Sequence, residues 1–389
     1  MSRELSFPIG ARATLEQLEH DPHPLLAELR TAEPVSWLPV LDCWLVTSHE
    51  LALRVIRDAA SYTVDDPRFS TGRVVGPSML SLDGDAHARH RAPFAPPFRP
   101  LAVRDRFAEY VAVEARRLVE ELAPAGKAEL RRSLAGPLAA YAMTRALGLE
   151  PEEVAGVLAW YDAIVSAVTE ITAGSDVPET GRAAFEALRE RLLAVIRSDD
   201  RGSLLAAAAD ETELSDDAIV ANAAVLLFGG IETTEGMIAN AVLALLQRPE
   251  ELARVRREPD LLDKAIEESL RLEPAAAVVD RYAVGDVELD GVAIGRGDLV
   301  RVSIAAANRD PAVFADPDRF DLERANSGRH LAFAHGPHVC VGVHLARLEA
   351  RTALSILLER LPGLRLDAER PASVTGLVFR KPPELPVVW

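Results

Sequence analysis

Apolar positions recur every three to four residues through most of the chain, and strict alternation is confined to a few short zones. The helical spacing predicts helices over residues 24–32 and 51–59, nearly continuous helix from 101 to 197, and a long helix over 341–361. Proline and glycine interrupt the long run near 124–126, 149–151 and 173–178. Residues around Ile164 to Ile171 are expected to roof a pocket. Alternating runs at 35–39, 43–47, 278–282, 287–294 and 298–303 predict strands, with Gly291 and Gly297 at turns. Residues 61–82 show no clear period and scatter Val74, Val75, Met79 and Leu80 among glycines and prolines. A structureless loop of that length in a compact protein is usually functional or disordered. Residues 371–386 are rich in turn formers. The pattern as a whole is mainly α, an α+β chain with small sheets.

One helix breaks its own pattern. Ser215 is placed to cap it, with Asp216 and Asp217 in the positive first turn. An apolar run follows to Phe228, and then come Gly229, Gly230, Ile231, Glu232, Thr233 and Thr234 before apolar residues resume at 237–246. Two poor helix formers and a carboxylate inside a buried segment need a reason. Thr233 is spaced to bond back to the Gly229 carbonyl. An acid beside an alcohol suits oxygen activation, which needs protons delivered without flooding the site with water. The competing reading is a helix crossing that uses the glycines for close approach; such a crossing does not need the acid.

Composition narrows the class. The chain has 389 residues, 49 % of them apolar, which is ample for a large core. Length alone suggests two or three domains, but no linker or low-complexity tract divides it. No uninterrupted apolar run approaches the roughly 20 residues needed to cross a bilayer, and the first ten residues lack a signal-peptide core. Two cysteines argue against a disulfide framework. A cytoplasmic protein is expected. A net charge of −17 makes nucleic acid an unsuitable partner. At 5 % aromatics, any pocket is expected to be mainly aliphatic.

Cys340 stands between a Gly336–Pro337 turn and the final helix. A cysteine just ahead of a helix start meets free N–H groups and the positive dipole end, which favour thiolate. Gly336 permits a turn, Gly342 lets backbone approach a flat ligand, and Phe333 is spaced to shield the sulfur. Two other readings compete. His335, His338, Cys340 and His344 could bind zinc, though the spacing fits no common zinc pattern. Cys340 could also be a plain buried cysteine, the usual fate of a lone one; an apolar strand position explains Cys43 in that way.

The spacing Phe333-x-x-Gly336-x-His338-x-Cys340-x-Gly342, followed by His344-Leu345-Ala346-Arg347, resembles the haem-binding loop of the cytochrome P450 superfamily. Four further features fall in that family's order: Asp83-x-x-x-His87-x-x-x-Arg91, Gly229-Gly230-x-Glu232-Thr233, Glu268-x-x-Arg271, and Arg319 within Pro317-Asp-Arg-Phe320. The likeness runs from about residue 22 to the C-terminus. It implies one domain over residues 1–389 with the cytochrome P450 fold, holding haem b with Cys340 as axial ligand, whose electron push favours O–O cleavage.

His87, Arg91, Arg281 and His330 would meet the haem propionates, with Phe333, Gly336, His338 and Gly342 shaping the loop. Glu232 and Thr233 would deliver protons. Val74, Val75, Met79, Leu80, Gly229, Gly230, Ala277, Val278 and Leu377 would line the substrate pocket. Glu268, Arg271 and Arg319 would form a structural ion network. The implied enzyme is a monomeric monooxygenase that inserts one oxygen atom from O2 into an apolar small molecule, by hydroxylation, epoxidation or dealkylation. Electrons would come from NAD(P)H through ferredoxin and ferredoxin reductase. A peroxide-driven peroxygenase of the same fold would not need Glu232 and Thr233; a haem sensor or carrier would need neither those residues nor a varied pocket loop.

Departures from the family pattern are Ala334 for a usual glycine, Val341 for a usual leucine, and Asp280 beside Arg281. Arg68 and Arg73 hint at a polar handle for substrate. Residues 86–117 carry seven arginines against three acids, a basic stretch on an acidic chain, which Arg347 and Arg351 would extend. Such a patch would orient an acidic electron donor.

Overall fold

The structure, a computed structural model, describes residues 3–172, 176–198, 203–210 and 213–389. Its axis is the helix Asp216–Leu246, 31 residues long. Ser215 accepts from the Ala218 N–H at 3.3 Å, and Asp216 and Asp217 occupy the first turn, as the capping signal predicts. The helix runs unbroken through the glycine pair. From residue 219 to 246 all positions are buried except Gly229, Gly230, Thr233 and Ala244. A helix that is apolar all round belongs inside a protein, and this one packs on helices Gly136–Leu147, Glu179–Ile196, Leu261–Leu272 and Val343–Arg360. Helices Pro100–Leu122 and Val154–Thr172 complete the large helical core. The break expected at 173–178 lies partly outside the described residues. Two helical stretches, 151–171 and 216–246, are long and apolar enough to cross a bilayer; the second has 72 % of its apolar window buried in protein, the first 33 %.

Beside the helices stands a five-stranded sheet in the order Val35–Leu38, Cys43–Val46, Leu299–Ser303, Val278–Ala283, Tyr62–Thr63. The pairings are antiparallel except for Cys43–Val46 against Leu299–Ser303. Trp44, Tyr62, Val300 and Val302 centre a second core here, and the N-terminal leucines 18, 25, 26 and 29 close a third on Leu38 and Leu45. Cys43 is fully buried in its strand, and burial pushes its thiol up to about 12. The Asp290–Gly291 pair takes positive φ (52° and 76°) between Val287–Leu289 and Val292–Ile294, the turn that suits the twist of a two-residue hairpin.

Residues 61–82 are not structureless. They hold the edge strand Tyr62–Thr63 and the helix Ser70–Val75, ended by Gly76 at φ 86°. Six residues make less than two turns, too few for a period to show. The Glu268–Arg271 pair is wholly buried and bidentate, at 2.8 and 2.7 Å. Its remaining valences are filled: Arg271 donates to the carbonyls of Asn308, Pro317 and Arg319, and Glu268 accepts from the Asp321 N–H and from Arg324 Nε at 2.9 Å. The second arginine of the network is therefore Arg324. Arg319 lends only its carbonyl and leaves its side chain exposed, because its backbone turns inward.

Candidate functional site

The cysteine loop is fixed by backbone geometry. The Cys340 N–H donates to the Phe333 carbonyl at 2.9 Å, closing the loop on itself. Gly336 sits at φ 71°, and a Cβ there would meet the Ile56 carbonyl at 3.0 Å, so glycine is required. Ala334 sits at φ 54°, which explains why glycine is usual there; a side chain in that region costs about 1–2 kcal/mol. A Cβ at Gly342 would stand 4.0 Å from Cys340 Sγ. The Arg347 guanidinium covers the Phe333 ring at 4.7 Å. The helix begins at Val343, two residues later than its pattern suggested. Burial pushes the Cys340 thiol up, against the Gly342 N–H and the charges of Arg91 and Arg347. The protein alone thus does not acidify the thiol as the helix position suggested; a bound metal would deprotonate it outright.

Around the loop, cations gather without enough anions. Arg281 is 5 % exposed and, among the described residues, forms no ion pair; its guanidinium donates to the Asp280 carbonyl at 2.8 Å. Asp280 itself faces the other side of the strand and binds Arg301, its cross-strand partner, with two bonds of 2.7 and 2.8 Å, so Arg281 feels the charges of Asp83 and Asp280 without forming an ion pair with either. His87 is buried, its Nε2 has no partner among the described residues, and its ring lies 4.4 Å from that of His338. Burial, then His338 and Arg91, bring His87 down to about 4. Arg91 donates to the Val339 carbonyl at 2.7 Å. His338 pairs with Asp83 at 2.7 Å. Burial alone would raise Asp83, but hydrogen bonds from His338, Thr63 and the Val64 N–H hold it well below the usual carboxylate range.

His330 does not join this group. Its Nε2 meets Glu267 at 3.2 Å and its Nδ1 accepts from the Ala332 N–H, so both ring nitrogens are engaged. Arg347 binds the same Glu267 at 2.6 and 2.8 Å. His330 and Arg347 therefore serve a structural ion chain. The substrate handle expected at Arg68 is likewise occupied: Arg68 is tied to Asp66 and the Gly297 carbonyl and lies over Tyr282, while Arg73 stands 3.6 Å from Asp176.

On the central helix Thr233 donates to the Gly229 carbonyl at 2.6 Å. A Cβ on Gly229 would touch nothing within 4 Å, so the helix faces open space there. Gly230 is different: a Cβ would collide with Met143 at 2.6 Å, which makes it a packing glycine against helix Gly136–Leu147 rather than a pocket wall. Val74, Val75, Met79 and Leu80 join the core of the central helix, and the Met79 N–H is held by Asn222 Oδ1 at 2.7 Å. Ala277, Val278 and Leu377 gather elsewhere, around a cavity of about 20 Å³ with Leu18, Leu26 and Leu45. The Ala277 N–H bonds the Val378 carbonyl at 2.9 Å, which carries the two segments together toward the N-terminal leucines.

Sequence reasoning missed the surroundings of Glu232. Tyr161 donates to its Oε2, and Lys381 Nζ lies 2.8 Å from its Oε1. Lys381 also binds Glu235, which Arg131 reaches at 3.0 Å. One signal was present: Glu235 follows Glu232 by three residues, so both acids share a face of a buried helix and demand cations. Nothing in a turn-rich tail marks Lys381.

Haem fits these residues: a buried arginine and an orphaned histidine nitrogen suit its carboxylates, the half-buried Cys340 suits its iron, and Gly229 leaves room on the helix. A family model for cytochrome P450 matches residues 186–383. The chain is 37 % identical to nocardicin C N-oxygenase of Nocardia uniformis subsp. tsuyamanensis, over 99 % of this chain and 98 % of that one. It is 36 % identical to the cytochrome P450 monooxygenase PikC of Streptomyces venezuelae, over 89 % and 85 %. Among solved structures, P450BioI in complex with a hexadec-9Z-enoic acid ligated acyl carrier protein superposes with TM-score 0.86 at 29 % identity, over 96 % of this chain and all of that one.

The Glu267 chain yields a test by pH. Burial would raise Glu267, but His330 and Arg347 bring it down to about 2, from 4.5. A carboxylate depressed by folding adds stability above its unfolded value and loses it as pH falls through the folded one. Glu267→Gln is expected to be less stable than wild type at neutral pH, with the difference shrinking between pH 4.5 and 2. Denaturant melts across that window check this; a constant difference would show that the lost contacts are not ionic.

Proposed function

The chain belongs to the cytochrome P450 family, and from that premise we propose which of its residues carry the family's monooxygenase activity and how. The chain acts as one domain that binds haem b, with Cys340 as the thiolate ligand and His87, Arg91, Arg281 and His338 holding the propionates. When bound, the haem supplies dioxygen activation at a thiolate-ligated iron. The observation that carries the reading is the half-exposed face of Gly229 and Thr233 in an otherwise buried helix, an open space with a hydroxyl on its wall. Thr233, anchored to the Gly229 carbonyl, holds its oxygen at that space as a proton relay. Glu232, 3 % exposed and held by Tyr161 and Lys381, hands protons on to it. The apolar helix on either side keeps bulk water out.

The substrate is an apolar small molecule of secondary metabolism, in keeping with nocardicin C N-oxygenase and PikC among the relatives. Met79 and Leu80, held to the central helix through Asn222, border it. NAD(P)H supplies electrons through ferredoxin reductase and ferredoxin, in the cytoplasm. The donor's surface is the stretch of exposed arginines that includes Arg89, Arg99 and Arg116, while Arg104 is paired with Asp105. Arg347 is withdrawn from it by Glu267, Arg351 by Asp263, and Arg117 by Glu114 and Glu121.

Two outcomes test this reading. Thr233→Ala is expected to keep substrate affinity while product formed per NAD(P)H falls, since losing one positioned proton-transfer group costs roughly 10²–10⁴ in rate. Unchanged coupling would make Thr233 a packing residue. Opposite charges speed association and are screened by salt. Reduction by a ferredoxin is therefore expected to slow as ionic strength rises, and Arg99→Glu to slow it without changing substrate affinity. Salt-independent reduction in both proteins would place the donor elsewhere.

A further inference from the structure

The central helix brings two carboxylates into the interior three residues apart, Glu232 at 3 % and Glu235 at 0 % exposure. Lys381 Nζ stands between them, 2.8 Å from Glu232 Oε1 and 2.5 Å from Glu235 Oε2. The other facing groups come from two more elements. Residues 131–135 supply Arg131, 3.0 Å from Glu235 Oε1. Helix Val154–Thr172 supplies Tyr161, which donates to Glu232 Oε2. Arg132 and Asp162 pair with each other on the exposed rim at 3.2 Å. Burial and the two carboxylates push Tyr161 far up, so it remains a neutral phenol.

The partners are unequal. Glu235 has a cation of its own in Arg131, whereas Glu232 has Lys381 and a neutral hydroxyl. The lysine is also placed with little freedom. Its backbone pairs with Thr375 through two bonds of 3.2 Å, and its neighbour Arg380 is buried, with its N–H on the Ala275 carbonyl at 2.9 Å. The chain uses only three lysines in all. A compact ammonium with three rotatable donors can bridge two carboxylates that diverge, where a planar guanidinium would favour one.

We infer that Lys381 is a positioning residue for Glu232: its ammonium fixes that carboxylate, shares it with Glu235, and so sets the pH at which Glu232 takes up its proton. A residue of the C-terminal turn segment thereby tunes proton delivery on the central helix. Without Lys381, two carboxylates share one buried site with a single arginine, and one of them keeps its proton to higher pH. The inference rests on the proton-relay role proposed above for Glu232.

The test uses the haem-loaded enzyme and variants Lys381→Met, Glu235→Gln, the double variant, and Glu232→Gln. Two readouts are followed against pH: the infrared carbonyl stretch of a protonated carboxylic acid in the resting protein, assigned by its loss in Glu232→Gln, and product formed per NAD(P)H. Lys381→Met is expected to raise the protonation midpoint by about one unit or more, to move the coupling profile with it, and to leave substrate affinity alone. The double variant returns toward wild type, because the like charge is gone. Glu235→Gln alone lowers the midpoint, since Lys381 then serves only Glu232. If Lys381→Met fails to fold, Glu235→Gln decides alone. Equal midpoints in wild type and every folded variant would overturn the inference. Intact coupling in Glu232→Gln would overturn the proton-relay reading instead, and leave the infrared result to judge Lys381.

Discussion

Taking a charge out of water costs several kcal/mol unless a partner and hydrogen bonds come with it. The helix Asp216–Leu246 carries Glu232 and Glu235 into an interior that is otherwise apolar, and much of the surrounding architecture answers that cost. Arg131, Tyr161 and Lys381 converge from three separate parts of the chain onto those two carboxylates. The same rule explains Glu268 and Arg271, wholly buried yet satisfied by Arg324 and four backbone groups. Removing one member of such a pair leaves an uncompensated charge and typically costs about 3–5 kcal/mol.

The rule has exceptions in several places, Glu349 Oε2 among them, and two of them meet at the cysteine loop. Arg281 is buried without an ion pair, and the Nε2 of His87 has no partner among the described residues. Both belong to the stretch of interior that also holds His338 and the cysteine loop. A group bearing two carboxylates restores the balance, which is the physical content of haem recognition here. The open space at Gly229 and the half-buried Cys340 complete the same requirement from the helix and from the loop.

Features that depend on local pattern could be read from the sequence. The Ser215 cap, the Thr233 bond to Gly229, the glycine at 336, the turn at Gly291 and the strand positions along the chain all follow from residue type and spacing. Pairings between distant segments could not. Arg324 displaced Arg319 in the ion network, and Glu267 took both His330 and Arg347, because nothing in a one-dimensional pattern says which arginine a carboxylate will meet. Ala277 and Leu377 went to the N-terminal leucines through a backbone bond that spacing does not show. Lys381 was invisible for the same reason, although the Glu232–Glu235 spacing asked for a cation.

The central claim is that Cys340 presents a thiolate to haem iron. The most direct measurement is the absorption spectrum of the reduced carbon monoxide adduct in wild type and in Cys340→His. Wild type is expected to show the strongly red-shifted Soret band of thiolate ligation, and Cys340→His to bind haem without it. A wild type lacking that band, or a Cys340→His protein that keeps it, would contradict the account.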